Sequence, residues 1–225
     1  MPQQITHDPS VDREDGTMNV AVMEKAVARI QKCYDCGATM KATVENYRYM
    51  ESGLKNVILK GILVFRCKEC GAEVPEIVAA SALHSLIGIR LLFKENRLAG
   101  EEVRFLRKLV GYSATELAEL AGTSKPVVSR WENRATLGSQ ADRLIRMICF
   151  NKMIQDAFPK DDTIAARTKT LVDATGLARF METALKNMRD KKDSKKSMEI
   201  EKKDLEKVAA YGGNVTCLEA ASQLQ

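Results

Sequence analysis

Four cysteines constrain this chain more than any other feature. Cys33-Tyr-Asp-Cys36-Gly37 and Cys67-Lys-Glu-Cys70-Gly71 repeat one Cys-x-x-Cys-Gly motif, with thirty residues between Cys36 and Cys67. Within that insert the apolar pattern alternates as strands do, with Tyr47 and Tyr49 in one run and Val57, Leu59, Ile62, Val64 and Phe65 in the next, separated by Ser52-Gly53. A hairpin of this kind carries both pairs to one place. Each pair reads as a turn whose successive main-chain amides face thiolate sulfurs, and the glycine supplies the positive φ that such a knuckle needs. Four thiolates form a closed tetrahedral set suited to Zn²⁺, structural because no coordination position stays open for chemistry. Redox dithiols and coincidental cysteines are the rival readings, and thioredoxin chemistry needs a βαβ setting that the pattern around these pairs lacks. The remaining cysteines stand alone: Cys149 reads as a buried small hydrophobe and Cys217 as a free terminal thiol. His84, set among Ala82, Leu83, Leu86 and Ile87, reads as a core or flank histidine rather than a further ligand.

The second organised stretch is residues 111–134, GYSATELAELAGTSKPVVSRWENR. Read as two helices, it places Leu117, Ala118, Ala121, Val128 and Trp131 inside and Lys125, Ser129 and Arg130 outside. Ser113 with Glu116 three residues on predicts a capping box, and Gly122-Thr123-Ser124 predicts a tight turn and the next cap. The spacing is that of a helix-turn-helix, although an ordinary helical hairpin has the same apolar period. Preceding it, residues 101–110 place Val103, Leu106 and Leu109 on one face and Arg104, Arg107 and Lys108 on the other. After it, residues 136–138 read as a loop. Ser139 reads as the cap of a long helix with Leu144, Ile145 and Ile148 inside, closed at Phe158-Pro159.

The intervening segment 77–94 is apolar enough for a packed connecting helix. The flanks are weaker in signal. Residues 1–17 carry no periodicity, and residues 18–30 allow a short amphipathic helix. In the tail, Leu171, Val172, Leu177, Phe180, Met181 and Leu185 allow small helices, the charged run RDKKDSKKS reads as a solvated linker, and residues 198–211 read as a last, weakly amphipathic helix ended by Gly212-Gly213. The expected fold is therefore mainly α with a small β zinc-ribbon module. The expected order is an N-terminal extension (1–32), a four-cysteine zinc domain with its connecting helix (33–96), an all-helical helix-turn-helix domain (97–158) and a helical, flexible C-terminal tail (159–225).

A net charge of +5 leans towards an anionic partner. No stretch approaches the ~18 consecutive apolar residues of a membrane span, and the first residues lack a basic patch followed by an apolar run, so a soluble cytoplasmic chain is expected. An enzyme is the least expected class. There is no Gly-rich phosphate loop, no G-x-S-x-G nucleophile motif, and His7 and His84 are the only histidines.

Two Cys-x-x-Cys pairs at this spacing, NVILKGILVFRCKECG around the second, and a helix-turn-helix ending in SRWE together resemble the MqsA/YgiT-type antitoxins, which carry an Xre/Cro-type helix-turn-helix. The resemblance spans about residues 33–150. It implies a DNA-binding antitoxin and autorepressor, dimeric through its helix-turn-helix domain, whose zinc domain binds and neutralises a partner ribonuclease toxin. Carried over by position, it puts the zinc ligands at Cys33, Cys36, Cys67 and Cys70, and the base-contacting positions at Lys125, Pro126 and Arg130. Pro126 departs from the family, which has a hydrogen-bonding side chain there. A proline suits a helix's first turn but offers a base only van der Waals contact. Ser124 and Ser129 are the candidate phosphate contacts. The rival functions are a stand-alone zinc-containing regulator and a protein-interaction adaptor, neither with a toxin.

Overall fold

In the computed structural model of the chain, the described residues are 30–134, 136–157, 179, 182, 186 and 197–210. The elements run β1 (Ile30–Lys32), β2 (Thr39–Arg48), a 3-10 turn (Met50–Ser52), β3 (Val57–Arg66), β4 (Glu73–Pro75), α1 (Ala80–Phe93), α2 (Gly100–Leu109), α3 (Ala114–Leu120), α4 (Lys125–Glu132), α5 (Ser139–Ala157), β5 (Met198–Glu201) and α6 (Lys202–Ala210). This is the helical chain with a small cysteine-bearing sheet that the sequence predicts. The expected extension and helix before residue 30, the small helices near residues 171–185, the charged run, the closure at Phe158-Pro159 and Cys217 lie outside the described residues.

The sheet has the order β1-β2-β3-β4, with β5 also pairing β3. β1 lies antiparallel to β2, Gln31 opposite Met40, and β5 lies parallel to β3, Leu59 opposite Ile200. The alternation in β3 slips by one residue midway, since Val57 and Leu59 are buried and then Ile62 and Val64 are. Gly61 sits at the slip with φ +66°, the signature of a bulge that only glycine adopts cheaply. The described residues divide into two compact units, residues 30–44 with 63–74, and residues 45–62 with those from 75 onward.

The first unit has a very small core. Cys33, Met40, Phe65 and Cys67 are buried there, with Ala38, Ala42, Ala72 and Val74 packed around them.

In the second unit α1 is apolar on nearly every side, as a fully enclosed helix must be: Leu83, Leu86, Ile87, Ile89, Leu91 and Leu92 are all buried. The carbonyls at its C-terminal end have no intrahelical donor. Arg146 of α5, itself 0% exposed, supplies them. Its Nη1 donates to Leu91 O (3.0 Å), Leu92 O (2.8 Å) and Lys94 O (2.9 Å), and its Nη2 to Asn96 O (2.6 Å). Its Nε donates to Asp142 Oδ2 at 3.1 Å, and Asp142 Oδ1 accepts the Leu98 amide at 2.6 Å. The α1–α2 connection is thus wrapped around one guanidinium.

Several expectations need correction. Leu144 is 39% exposed rather than inside, because Asp142, Ile145, Arg146, Cys149 and Met153 take the inward face of α5 and turn Leu144 and Met147 outward. Ile30 belongs to a strand rather than to the end of a helix, and Ser139 is the first residue of α5 rather than its cap. Residues 198–201, expected within a helix, form β5. That strand is held by Met198 N donating to Asn56 O at 2.7 Å, by Lys60–Glu199, and by Arg90, which donates to Glu199 O and pairs with Asp204 of α6 at 2.8 Å. Ile200, fully buried, is its anchor. The last helix therefore does not hang free of the fold.

Replacing Arg146 by Leu should strand four carbonyls and leave the Asp142 carboxylate buried without its cation. A loss of about 3 to 5 kcal/mol is expected in urea unfolding, against under 1 kcal/mol for the outward-facing Arg143→Leu. Equal midpoints for the two variants would refute the role assigned to Arg146.

Candidate metal centre and nucleic-acid interface

The two cysteine turns are built alike. Gly37 N donates to Cys33 O (2.9 Å) and Cys33 N to Ala38 O (2.8 Å). In the second turn Gly71 N donates to Cys67 O (3.1 Å) and Cys67 N to Ala72 O (2.9 Å). Gly37 and Gly71 take φ +74° and +76°, as the repeated glycine predicts. The four sulfurs all lie within 4.8 Å of one another, with Cys33 to Cys70 at 3.5 Å and Cys36 to Cys67 at 3.4 Å, and none is in a disulfide. A tetrahedral zinc thiolate, with Zn–S about 2.3 Å, has S···S edges of about 3.8 Å. The cluster fits that geometry.

The electrostatics fit a cation too. The Cys70 main-chain N–H is the largest of the influences that hold the Cys67 thiol down to about 7. At Cys70 the amide of Ala72 favours the thiolate, yet hydrogen bonds with the sulfurs of Cys33, Cys67 and Cys36 outweigh it and push the thiol up to about 12. One thiolate forms readily, and a second beside it is opposed. Keeping all four ionised takes a positive charge at their centre. Cys149, buried in α5, has its thiol pushed up to about 12 by desolvation, the inert behaviour expected of it.

The elements of the expected helix-turn-helix domain are α2 to α5. Ser113 caps α3 as predicted: its Oγ accepts the Glu116 amide at 3.1 Å while Glu116 returns a carboxylate to the Ser113 N–H at 2.7 Å. That reciprocal bond holds the exposed Glu116 carboxyl below its ordinary range. Leu117, Ala118 and Val128 form the core of the motif, with Ala114, Trp131 and Ile148 packed on it. Lys125, Pro126, Ser129 and Arg130 are all exposed on α4, with Pro126 in the first turn, where its missing N–H costs nothing. Positions 126, 129 and 130 lie on one helical face, and no acidic residue occupies the first turn. Ser124 occupies the N-cap position, but its hydroxyl makes no cap hydrogen bond and is exposed.

The far end of α4 is anchored by Glu132, which is 9% exposed. Its carboxylate takes Arg107 Nε at 2.5 Å and Nη2 at 3.2 Å, with Arg104 Nε at 3.3 Å. Arg107 also donates to Tyr112 O at 2.9 Å, closing the end of α2. The pattern places Arg107 on the face opposite Val103, Leu106 and Leu109, and there the structure pairs it with Glu132 and leaves it only 13% exposed. His84 is a flank histidine, as expected. Its Nε2 lies 2.8 Å from Tyr49 Oη, its ring stacks on Tyr49 and meets Phe105 edge-on, and burial lowers its pKa.

A family model, Helix-turn-helix, matches residues 103–140. The match runs from within α2 to the start of α5, a motif that suggests a DNA-binding regulator. No curated protein sequence and no solved structure matches the chain. Among the described residues no helix is long and apolar enough to cross a membrane.

A zinc ion on the four sulfurs should measure as one equivalent per chain by elemental analysis. Its binding is worth on the order of 10 kcal/mol, the scale of a whole domain's stability. Stripping it with a strong chelator, or changing Cys36 and Cys70 together to Ser, should collapse the amide dispersion of residues 33–44 and 63–74 while the Trp131 indole signal stays. A metal-free chain with an unchanged spectrum would contradict this.

Proposed function

We propose that the chain is a zinc-stabilised, dimeric transcriptional repressor of the antitoxin type, acting in the cytoplasm and without enzymatic activity. The observation that carries the DNA half is the exposed face of α4, presented on an intact helix-turn-helix. In the major groove Arg130 offers two parallel donors to guanine O6 and N7, a pairing worth about 1 to 3 kcal/mol of discrimination. Lys125, at the helix start, reaches a base edge or phosphate, and Pro126 packs against a thymine methyl. Ser124 and Ser129 take phosphates, a role that the free Ser124 hydroxyl favours over capping. Glu132 touches no DNA; it fixes the pitch of α4 through Arg107.

The zinc ligands in this reading are Cys33, Cys36, Cys67 and Cys70, and the metal is structural. Dimerisation runs through the helix-turn-helix domain, and the outward pair Leu144 and Met147 on α5, 39% and 43% exposed, supplies an apolar contact for the second copy. The toxin-neutralising role is supported by the combined resemblance of the cysteine module and the helix-turn-helix. A ribonuclease-like product of an adjacent gene that co-purifies with the chain supports it, whereas a stand-alone regulator has no such neighbour.

Arg130→Ala should lose preference for the DNA upstream of its own gene by about 10- to 100-fold in a competition gel-shift, keeping weak salt-dependent binding to any duplex. Unchanged preference overturns the assignment. Leu144→Asp should shift the sedimenting species from dimer to monomer, and a dimer that survives it places the interface elsewhere.

A further inference from the structure

Two recesses open side by side in the second unit and share Gly53, Glu101 and Arg104 as a common wall. The larger, about 820 Å³, lies between the β2–β3 turn, the start of α2 and the end of α4. The smaller, about 410 Å³, has His84, Phe105 and Leu109 in its lining. Both volumes fall in the range of small-molecule sites, about 300 to 1,000 Å³. The DNA-reading account uses only one wall of the larger recess, where Arg104 and Glu132 hold the end of α4.

Their chemistry is divided. The larger recess is lined by Lys55, which has no ion pair or hydrogen bond among the described residues, and by Arg104. Asn56 also lines it, with its Oδ1 turned into the protein and away from the open space. The smaller recess offers an imidazole, a phenyl ring and an aliphatic side chain on one side, a surface for a flat ring, with Glu51, Ser52 and Lys108 at its polar side for the ring's edge. Glu101 stands where the two meet and is likewise without a partner among the described residues. A carboxylate at that point is what holds ribose hydroxyls in nucleotide sites elsewhere.

We propose that this double recess binds a nucleoside monophosphate. The base lies in the smaller recess against His84 and Phe105, the ribose hydroxyls donate to Glu101, and the phosphate lies on Lys55 and Arg104. Arg104 gives the site its consequence. The same guanidinium donates to Glu132 Oε2 at 3.3 Å and Asn133 Oδ1 at 3.0 Å, at the end of α4. A phosphate drawing on it competes with those bonds, leaving Arg107 as the anchor of Glu132. The effect on DNA reading rests on the function proposed above; the binding itself does not.

Isothermal titration of the full, zinc-loaded chain without DNA tests the site directly, with AMP, GMP, CMP and UMP as ligands and adenosine and inorganic phosphate as half-ligand controls. At least one monophosphate should bind 1:1 with a Kd below about 1 mM, and each half-ligand at least about 10-fold more weakly. Lys55→Ala and Glu101→Gln, both surface changes, should each weaken it about 10-fold with the Trp131 emission unchanged. No saturable heat from any of the four up to about 5 mM overturns the proposal, as does binding that neither variant weakens. Lys55→Ala that lowers DNA affinity uniformly, while the nucleotides give no heat, overturns it too and makes the recess a seat for the DNA backbone.

Discussion

One buried guanidinium holds the larger unit in register. Arg146 is enclosed by the helix it caps, the connection it gathers and the carboxylate one turn before it on α5. A cation is costly to bury, and desolvation lowers its pKa while Asp142 and Glu102 oppose that shift. The arrangement answers a problem that an enclosed apolar helix creates. The basic side chains at the C-terminal end of α1, Arg90 and Lys94, are committed to Glu199, Asp204 and Glu102, so its last carbonyls need a donor from elsewhere. By supplying those donors from α5, the fold fixes the end of α1 against the helix that closes the helix-turn-helix domain. The course of the chain into α2 follows, because Leu98 is tied to the same Asp142.

From α2 onward the same device recurs at smaller scale. Glu102 accepts the Ala99 amide at 2.7 Å and pairs with Lys94, while Glu132 accepts Arg107 and Arg104. Each buried carboxylate joins two helix ends. The α4 surface therefore owes its position to charges inside the domain, and its own exposed residues are left uncommitted. In the first unit the problem is the opposite. Met40 and Phe65 are too little apolar surface to hold a fold on their own, and the sulfur cluster is placed where a bound metal would supply what the core lacks.

Much of this was legible in the residues. The repeated Cys-x-x-Cys-Gly, the Ser113/Glu116 box and the apolar spacing of 117, 118, 128 and 131 each state a local geometry, and local geometry is what sequence patterns encode. What escaped was non-local. The inward position of Arg146 was written in the spacing 142, 145, 146, 149 and 153, but a charged pair on an apolar stripe reads first as a surface ion pair. Met198 to Glu201 alternate over four residues only, too few to separate strand from helix, and their partner lies more than a hundred positions earlier. The break at Gly61 was visible in the shift from 57 and 59 to 62 and 64, and marks where β5 stops pairing with β3.

In the proposed function everything turns on α4 reading guanine in the major groove through Arg130. Methylation interference at guanine N7, on DNA upstream of the chain's own gene, tests this most directly. A guanine is expected in each half-site whose methylation blocks the unaltered protein and makes no difference to Arg130→Ala. The same interference pattern for both proteins, or none in the major groove, would contradict it.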